Sequence, residues 1–350
     1  MQQISINSGT RPTLLLIGPL PEPKGGVSIH IQRLGRLLEN VFKVHYVDES
    51  RVIKPGLYNI RSKKLLPYLR LLRAADVVHI QSSVALLRNF HLLIAKLLFR
   101  KRVLVTIHSI WGKSPSELRL IRLALKLADI VIAVNSDIPE TLALANAVVQ
   151  PAFIPPDLDT EPELPETVRS WLHKQKKQSR RIITANAFRI ELHEGRDLYG
   201  IDLCLEMMCR LVHHEALDVS LVFIISSLDH AGNKLNEYMQ LIKEWELTDH
   251  VLLTCTSLSF VRLISQSDIV LRPTCTDGDA LTIREALYLD RPVIASDVVS
   301  RPAGTILFKN RDLSDLCAKV IDLLSGKEQI HNVIKQSNNY TNFYANLYDY

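Results

Sequence analysis

Short apolar segments alternate with segments of helical periodicity through most of this sequence. The apolar segments end in polar residues, as in TLLLIGPL (13–20), DIVIAVNS (129–136) and VSLVFIISS (219–227), and such runs are typical of strands buried on both faces. Helical segments such as SIHIQRLGRLLEN (28–40) lie between them. Because parallel strands need crossover connections, the alternation predicts an α/β fold in which helices cover both faces of parallel sheets.

A proline-rich, acidic segment interrupts this alternation at residues 148–168, VVQPAFIPPDLDTEPELPETV. Proline restricts the backbone to an extended path, so we interpret the segment as the join between two domains. We predict one Rossmann-like domain over residues 1–155 and a second over residues 156–330. Ligands bind beyond the carboxyl ends of strands in such sheets, so we expect a site in a cleft between the two domains.

Basic residues are concentrated in the first part of the chain. Residues 1–150 carry 21 Lys and Arg against 9 Asp and Glu, a net charge of +12, and the remaining residues carry −7. The segments RSKKLLPYLRLLR (61–73) and LLRNFHLLIAKLLFRKR (86–102) mix basic and apolar residues at helical spacing. Such segments suit an anionic membrane surface, although core-facing helices with a solvated basic side show the same pattern. No motif for nucleic-acid recognition is present, so we predict no nucleic-acid partner.

The cysteine content and the first residues of the chain indicate the cellular compartment of the protein. The five cysteines are odd in number and are never spaced CxxC, which favours a reducing compartment over a disulfide framework or a zinc site. The start of the chain, MQQISINSGTRP, lacks the apolar core of a signal peptide. We expect a cytoplasmic protein that can attach to the inner face of the plasma membrane.

The segment PTCTDGDALTIREALYLDRPVIASD (273–297) places three acids around the start of a predicted helix. Two interpretations of these acidic residues involve only residues that are close together in the sequence. Thr282 and Glu285 match the S/T-x-x-E capping box. Asp277 and Asp279 form a D-x-D triplet that could hold a divalent cation.

A third interpretation is a cradle for an anionic ligand. Gly278 and Ala280 are small, so they leave the backbone accessible to a ligand. The amide groups near residues 281–283 could then bind phosphate at the start of the helix. Glu285 and Asp277 could then accept hydrogen bonds from sugar hydroxyl groups. The sequence alone leaves the three interpretations open.

The same segment resembles the C-terminal domains of GT-B glycosyltransferases of family 4, which carry E-x7-E in a setting like EGFGxxxxEAMAxGxPVIAS. Asp277, Gly278 and Glu285 fall on that motif, with Asp in place of the usual first Glu, and Asp279 and Ala280 replace the usual Phe and Gly. The likeness covers nearly the whole chain. It includes LLLIGPLPEPKGGVSIHIQRL, which resembles the family's first strand and its GGxxxHxxxL loop, and EWELTDHVLLTC, which resembles LGLxDNVxFLG.

The resemblance implies a GT-B fold, with two doubly wound Rossmann-like domains facing a central cleft and the tail, residues 331–350, as a helix that crosses back to the first domain. It also implies a retaining hexosyltransferase that moves a sugar from a nucleoside diphosphate sugar, UDP in preference to GDP, to an acceptor hydroxyl. Cationic side chains and helix-start amides would stabilise the leaving diphosphate, so neither a cofactor nor a metal ion is expected.

Catalytic roles are implied for Asp277, Glu285 and His108. Glu285 would bind the nucleotide ribose and Asp277 the donor sugar, while His108 would face that sugar, although a His at a strand end is often a packing residue. Gly25 and Gly26 would form a loop beside phosphates and acceptor. The implied donor-binding residues are Arg189, Arg196, Gly278, Asp279, Ala280, Leu281, Thr282 and Glu285. Tyr199-Gly200 stands where the family usually has Lys-Gly.

The basic, amphipathic first half favours an acceptor at a membrane. We expect a glycan or a polyprenyl-diphosphate-linked oligosaccharide, as in the assembly of bacterial surface polysaccharides such as the O-antigen of lipopolysaccharide. Two alternatives stay open, because fold does not settle function. One is a UDP-HexNAc 2-epimerase, and the other is a degenerate protein that binds nucleotide sugars without catalysis.

Overall fold

The computed structural model describes residues 11–22, 24–110, 112–145, 147–227, 232–278, 280–327 and 340–348. The chain divides into two compact units, one formed by Met1–Ile154 with Asn338–Tyr350 and the other by Pro155–Ser337. In the described residues, each unit contains a parallel six-stranded sheet with helices around it. The predicted α/β class with two Rossmann-like halves is confirmed.

The sheet of the first unit has the strand order β2-β1-β3-β4-β5-β6. Its strands are β1 (Thr13–Gly18), β2 (Lys43–Asp48), β3 (Val77–Ile80), β4 (Arg102–Ile107), β5 (Ile130–Ala133) and β6 (Ala147–Val149). Alternate residues of β1 enter different cores, with Leu15 and Ile17 on one face and Leu14 and Leu16 on the other. Because both faces are covered, the strand is a continuous apolar run.

The helices of the first unit are α1 (Gly26–Leu38), α2 (Leu65–Ala74), α3 (Ala85–Leu93), α4 (Pro115–Leu125) and α5 (Asp137–Leu142), with α12 (Tyr340–Tyr348) from the end of the chain. The start of α4 is fixed locally: Ser114 is its N-cap, and Glu117 Oε2 accepts from the Ser114 amide at 2.8 Å. No helix in the described ranges is long and apolar enough to cross a membrane.

Helix α12 packs into the core of the first unit. Tyr344 and Tyr348 are fully buried, and the Tyr348 hydroxyl lies 2.6 Å from His79 Nδ1 on β3. Arg102 Nη2 donates to the Leu347 carbonyl at 3.0 Å. The tail therefore contributes aromatic core residues to a sheet whose strands lie far away in the sequence.

The sheet of the second unit has the order β11-β10-β7-β12-β13-β14. Its strands are β7 (Arg181–Arg189), β10 (Val219–Ser227), β11 (Val251–Cys255), β12 (Ile269–Arg272), β13 (Val293–Ser296) and β14 (Ile306–Phe308), and a separate antiparallel pair consists of β8 (Leu192–His193) and β9 (Arg196–Asp197). The helices are α6 (Glu166–Lys177), α7 (Ile201–His213), α8 (Lys234–Glu244), α9 (Phe260–Ser265), α10 (Leu281–Tyr288) and α11 (Leu313–Leu324).

The loops that follow β9 and β12 touch backbone to backbone. Gly200, just before α7, has φ +71°, and a Cβ placed on it would lie 2.5 Å from the Pro273 carbonyl oxygen. The Cys275 amide donates to the Leu198 carbonyl at 2.9 Å. Gly200 is therefore required both by its left-handed backbone and by this close approach.

We expect Gly200→Ala to lower the free energy of unfolding of the second unit by about 3 kcal/mol, because it combines left-handed strain with a backbone clash. Gly195→Ala is the matched control, since Gly195 has φ +77° and no atom lies within 4 Å of an added Cβ. Strain alone predicts a loss of about 1 kcal/mol in the control. Denaturant unfolding measures both, and equal losses would contradict the proposed role of the contact with Pro273.

Candidate functional site

Asp277 lies at the centre of the loop between β12 and α10. Arg272 donates to both of its carboxylate oxygens, from Nε to Oδ2 at 2.9 Å and from Nη2 to Oδ1 at 3.0 Å. Arg301 Nη1 donates to Oδ2 at 2.9 Å. The Thr274 hydroxyl donates to Oδ2 at 3.1 Å, and the Gly278 amide donates to Oδ1 at 3.0 Å. A carboxylate has about four lone-pair directions, so these contacts occupy Asp277 fully.

The same arginines decide the protonation of Asp277. Burial raises the pKa of this carboxyl, but the guanidinium groups of Arg272 and Arg301 outweigh burial and lower the pKa to about 2. Arg301 also donates to the Ser296 carbonyl at 3.1 Å, so the ion pairs join the loop to the end of β13. Asp277 is thus an ionised anchor of this loop. Its predicted contact with the donor sugar stays a prediction, because a sugar hydroxyl would have to displace one of these donors.

The start of α10 differs from the capping-box interpretation. Ala280 is the N-cap and its side chain makes no capping hydrogen bond, whereas Thr282 lies inside the helix. Thr282 Oγ1 instead donates to Asn186 Oδ1, in β7, at 3.2 Å. The capping-box prediction for Thr282 and Glu285 is therefore wrong, because the chain enters the helix earlier and Thr282 makes a tertiary contact.

The loop before α10 leaves room in front of the helix. Gly278 is exposed, and no atom lies within 4 Å of a Cβ placed on it. Ala280 is buried and Leu281 is half-buried, while Glu285 is only 4% exposed on the next turn. The first turn of α10 holds no acidic residue, so its amide groups keep their preference for an anion. Asp279 lies outside the described residues.

Two of the predicted donor-binding residues lie on β7 and β9. Arg189, the last residue of β7, donates from Nε to Glu191 Oε2 at 2.8 Å, and it lines a shallow depression together with Lys234 at the start of α8. Arg196 on β9 is exposed. Arg189 and Lys234 therefore place two cationic side chains at the carboxyl end of β7.

Tyr199, which stands where the family usually has Lys, is covered by a different cation. The guanidinium carbon of Arg272 lies 5.3 Å from the centre of the Tyr199 ring, a distance at which a cation and an aromatic face attract. Arg272 thereby contacts both Tyr199 and Asp277. Arg272 was not among the residues predicted from the sequence, although it directly precedes Pro273.

In the first unit, strands β3 and β4 bring Gln81 and His108 together. Each residue directly follows its strand, and His108 Nε2 lies 3.2 Å from Gln81 Oε1. His30, on α1, packs edge-on against His108 with ring centres 5.7 Å apart. Burial lowers the pKa of His108 to about 4, so its imidazole is neutral at physiological pH.

His79 belongs to the core rather than to this polar group. Its Nδ1 lies 2.6 Å from the Tyr348 hydroxyl and its Nε2 lies 2.7 Å from Thr106 Oγ1. Burial, followed by the neighbouring His108, lowers the pKa of His79 to about 3. Both ring nitrogens are satisfied, which agrees with the packing role expected for a His within a strand.

The two glycines before α1 differ in their surroundings. Gly25 is the N-cap of the helix, and its amide donates to Ser28 Oγ at 2.9 Å. Gly26 is the first helical residue, and a Cβ placed on it would meet no atom within 4 Å. A ligand of this loop would therefore find open space at Gly26, whereas the Gly25 amide is already bound within the protein.

Several residues of these two sites escaped the sequence argument: Asn186, Arg272, Arg301, Gln81 and His30. Weak signals existed for some of them, because His30 occupies the His of the GGxxxH pattern and Arg301 follows the VIAS strand closely. The described residues contain no group of three or more His, Cys, Asp or Glu side chains arranged to hold a metal ion.

One protein-family model matches the chain, over residues 192–326, and it describes the glycosyl transferases of group 1. This match covers the second unit from β8 to the end of α11, including the loop anchored by Asp277. No curated protein sequence matches the chain.

Solved structures match nearly the whole chain at low sequence identity. HepE of Anabaena, crystallised with UDP and glucose, has 13% identity and a TM-score of 0.66 over 95% of each chain. A glycosyltransferase of Rickettsia africae has 15% identity and a TM-score of 0.69, covering 97% of this chain and 98% of its own. Sucrose-phosphate synthase of Thermosynechococcus elongatus has 18% identity and a TM-score of 0.62 over 90% of each chain.

The fold and the family match agree with each other and with the resemblance noted in the sequence. The two parallel sheets are those of the GT-B fold, and the matched family model lies on the unit that holds the loop anchored by Asp277. The chain therefore has the GT-B fold, and residues 192–326 of its second unit are similar to the glycosyl transferases of group 1.

Proposed function

We propose that the protein transfers a sugar from a UDP-sugar to a hydroxyl group of a glycan or polyprenyl-diphosphate-linked acceptor, with retention of the anomeric configuration. The transfer takes place at the inner face of the plasma membrane, in the assembly of a bacterial surface polysaccharide. The observation that carries the proposal is the loop from Pro273 to Ala280, which Asp277 anchors in front of the amide end of α10. The likeness to HepE, crystallised with UDP and glucose, supports UDP as the nucleotide.

The chemistry of the donor follows from the charges around this loop. The diphosphate binds at the amide end of α10 and pairs with Arg189 and Arg196, whose guanidinium groups offer paired donors. Glu285 accepts hydrogen bonds from the ribose, and His108 contacts the transferred sugar. These cations and amides stabilise the charge that develops on the leaving diphosphate, so the reaction needs no metal ion.

The state of Asp277 supports a same-face mechanism over a double displacement. A carboxylate that accepts five hydrogen bonds and has a pKa lowered to about 2 is a weak nucleophile. Retention without a covalent intermediate requires the acceptor hydroxyl to attack on the face that the diphosphate leaves. Asp277 then contributes by holding the loop amides in place.

The membrane part of the proposal rests on exposed leucines among basic residues. Leu65 and Leu66 at the start of α2 are 57% and 59% exposed, and Leu86 on α3 is 80% exposed. Tyr68 and Leu72, by contrast, face the core from α2. The outer side of this helix is thus apolar as well as basic, which favours insertion at an anionic lipid surface over a merely solvated face.

We expect UDP to raise the melting temperature of the protein in the presence of EDTA, because a ligand that binds only the folded state stabilises it by about 2.7 kcal/mol at 100 times Kd. Glu285→Gln removes the charged acceptor for the ribose and should weaken UDP binding at least roughly tenfold. Glu244→Gln, at the exposed end of α8, is the control and should bind UDP normally.

Other outcomes of the same titration contradict parts of the proposal. Stabilisation that requires Mg²⁺ would support the interpretation of Asp277 and Asp279 as a D-x-D site for a divalent cation. Stabilisation by GDP alone would exclude UDP as the nucleotide. Binding of UDP-sugars without any transfer, tested on alkyl- and polyprenyl-linked glycans, would favour the degenerate protein. Conversion of UDP-HexNAc without an acceptor would favour the epimerase, and NMR of a transferred product reports retention or inversion.

Asp277→Asn should lower the free energy of unfolding by about 2 kcal/mol at pH 7, because the ion pairs with Arg272 and Arg301 lower the pKa of Asp277 from 3.8 to about 2. The stabilisation is complete above the unfolded-state pKa and disappears as pH falls towards 2, so wild type and variant should converge there. Asp249→Asn, which removes an exposed ion pair with Lys174, should show no measurable change. A difference in stability between wild type and variant that is as large near pH 2 as at pH 7 would contradict the anchoring role.

Replacement of Leu65 and Leu66 by Ser should weaken binding to phosphatidylglycerol vesicles roughly tenfold or more, because two exposed apolar side chains no longer insert. Sedimentation with vesicles measures the bound fraction, and added salt should weaken binding further. The control replaces Leu192 and Leu307, two leucines of the second unit that are 49% and 45% exposed. Equal binding to phosphatidylcholine vesicles, or none to either lipid, would overturn the membrane proposal.

A further inference from the structure

The helices of the first unit expose large apolar side chains on one side of the sheet only. Leu86, Leu93 and Leu97, on α3 and directly after it, are between 42% and 80% exposed. Leu120 and Leu123 on α4 are each 64% exposed. Single exposed leucines are normal in soluble proteins, but their concentration on two neighbouring helices that pack against each other indicates an interaction surface.

Helices α2, α3 and α4 form one layer on a single face of the sheet. All three contribute to the core that contains Leu15 and Ile17 of β1, whereas α1 and α12 contribute to the core on the other face, with Leu14 and Leu16. Among the described residues of α1 and α12, no large apolar side chain is exposed. The exposed leucines of the helices therefore all lie on the outer side of the α2–α4 layer.

The outer side of α4 combines leucines with positive charge. Arg119, Arg122 and Lys126 are exposed around Leu120 and Leu123, while the inner side of the helix supplies two residues to the core. A helix that packs inward through one apolar stripe normally has a polar outer side. The outer side of α4 instead has the composition of a segment that binds an anionic lipid surface.

Acidic residues lie at the borders of this surface. Glu117 is held in the capping box with Ser114 at the start of α4. Asp137 and Glu140 are exposed on α5, the next helix after α4, and α5 exposes no large apolar side chain among its described residues. The basic and apolar surface therefore extends from α2 to α4 and ends before α5.

An anionic lipid surface fits the outer side of this layer better than a second copy of the chain. A two-fold contact between copies brings the same patch of both copies together. The three cations around Leu120 and Leu123 would then face three identical cations, which repel them. A negatively charged lipid surface instead attracts these cations, and the leucines insert among the lipids.

We propose that the first unit lies flat on an anionic membrane, with the outer side of the α2–α4 layer against the lipid headgroups and Leu120 and Leu123 inserted among them. The inference rests on the membrane part of the proposed function, which used only leucines of α2 and α3, and it adds the orientation of the unit. The carboxyl ends of β1, β3 and β4 then lie roughly one helix diameter, about 10 Å, from the lipid surface. A lipid-linked acceptor reaches them by moving within the plane of the membrane.

Leu123→Trp places a fluorescent side chain on the proposed contact surface. On vesicles of phosphatidylglycerol with brominated acyl chains, we expect the fluorescence that this variant adds to the wild-type signal to fall at least about twofold, because an inserted indole meets the bromine atoms. Asn346→Trp is the matched control, since Asn346 is exposed on α12, on the other face of the sheet. Its added fluorescence should stay unchanged.

Two sets of substitutions on α4 test the apolar and the charged part of the contact separately. Replacement of Leu120 and Leu123 by Ser should weaken binding to phosphatidylglycerol vesicles roughly tenfold. Replacement of Arg119, Arg122 and Lys126 by Gln should weaken it roughly 100-fold at low salt, and the difference should shrink as salt is added. The control replaces three exposed lysines of α6 by Gln and should bind like wild type: Lys174, Lys176 and Lys177.

The outcomes separate this inference from the proposed function. If Ser at Leu65 and Leu66 weakens vesicle binding, but Leu123→Trp is quenched no more than Asn346→Trp and the α4 variants bind like wild type, the flat orientation is overturned and the membrane part of the proposed function stands. If wild type does not bind phosphatidylglycerol vesicles, both are overturned. A wild type that elutes as a dimer in gel filtration, with a monomeric Ser variant of α4, would assign the surface to a second copy and overturn the inference. Should that Ser variant fail to fold, the quenching of Leu123→Trp decides.

Discussion

The ion pairs between Asp277 and the guanidinium groups of Arg272 and Arg301 organise the functional end of the second unit. They join the last residue of β12, the loop before α10 and the segment after β13. Burying such charges is unfavourable unless each is paired and hydrogen-bonded, so all three side chains depend on one another. The position of the α10 amide groups, the open space at Gly278 and the stacking of Arg272 on Tyr199 all follow from this arrangement.

The two units offer different electrostatic environments for ligand binding. Around Asp277 the groups are charged, and nearby arginines carry positive charge that suits a diphosphate. His30, His79 and His108 of the first unit are neutral, because desolvation lowers the pKa of each histidine. Neutral donors and acceptors suit sugar hydroxyl groups, which carry no charge.

Strand and helix assignments could be predicted from the sequence because they depend on local patterns. Buried parallel strands are continuous apolar runs, and the runs beginning at Thr13 and Val219 are strands as expected. Helix α4 begins at Pro115, directly after its N-cap Ser114, and the capping box between Ser114 and Glu117 lies within one turn of the chain. The same kind of local pattern failed at Thr282, whose hydroxyl bonds to Asn186 in a different element.

The candidate sites were only partly predictable, for a physical reason that recurs in each case. The sequence by itself determined the α/β class, the two sheets and the motif containing Asp277 and Glu285, because these rest on short-range periodicity and spacing. Only the tertiary structure decided that Arg301 neutralises Asp277 and that Gln81 meets His108. Those contacts join residues far apart in the chain whose distance depends on strand order, and strand order is fixed by packing of the whole sheet rather than by any local segment.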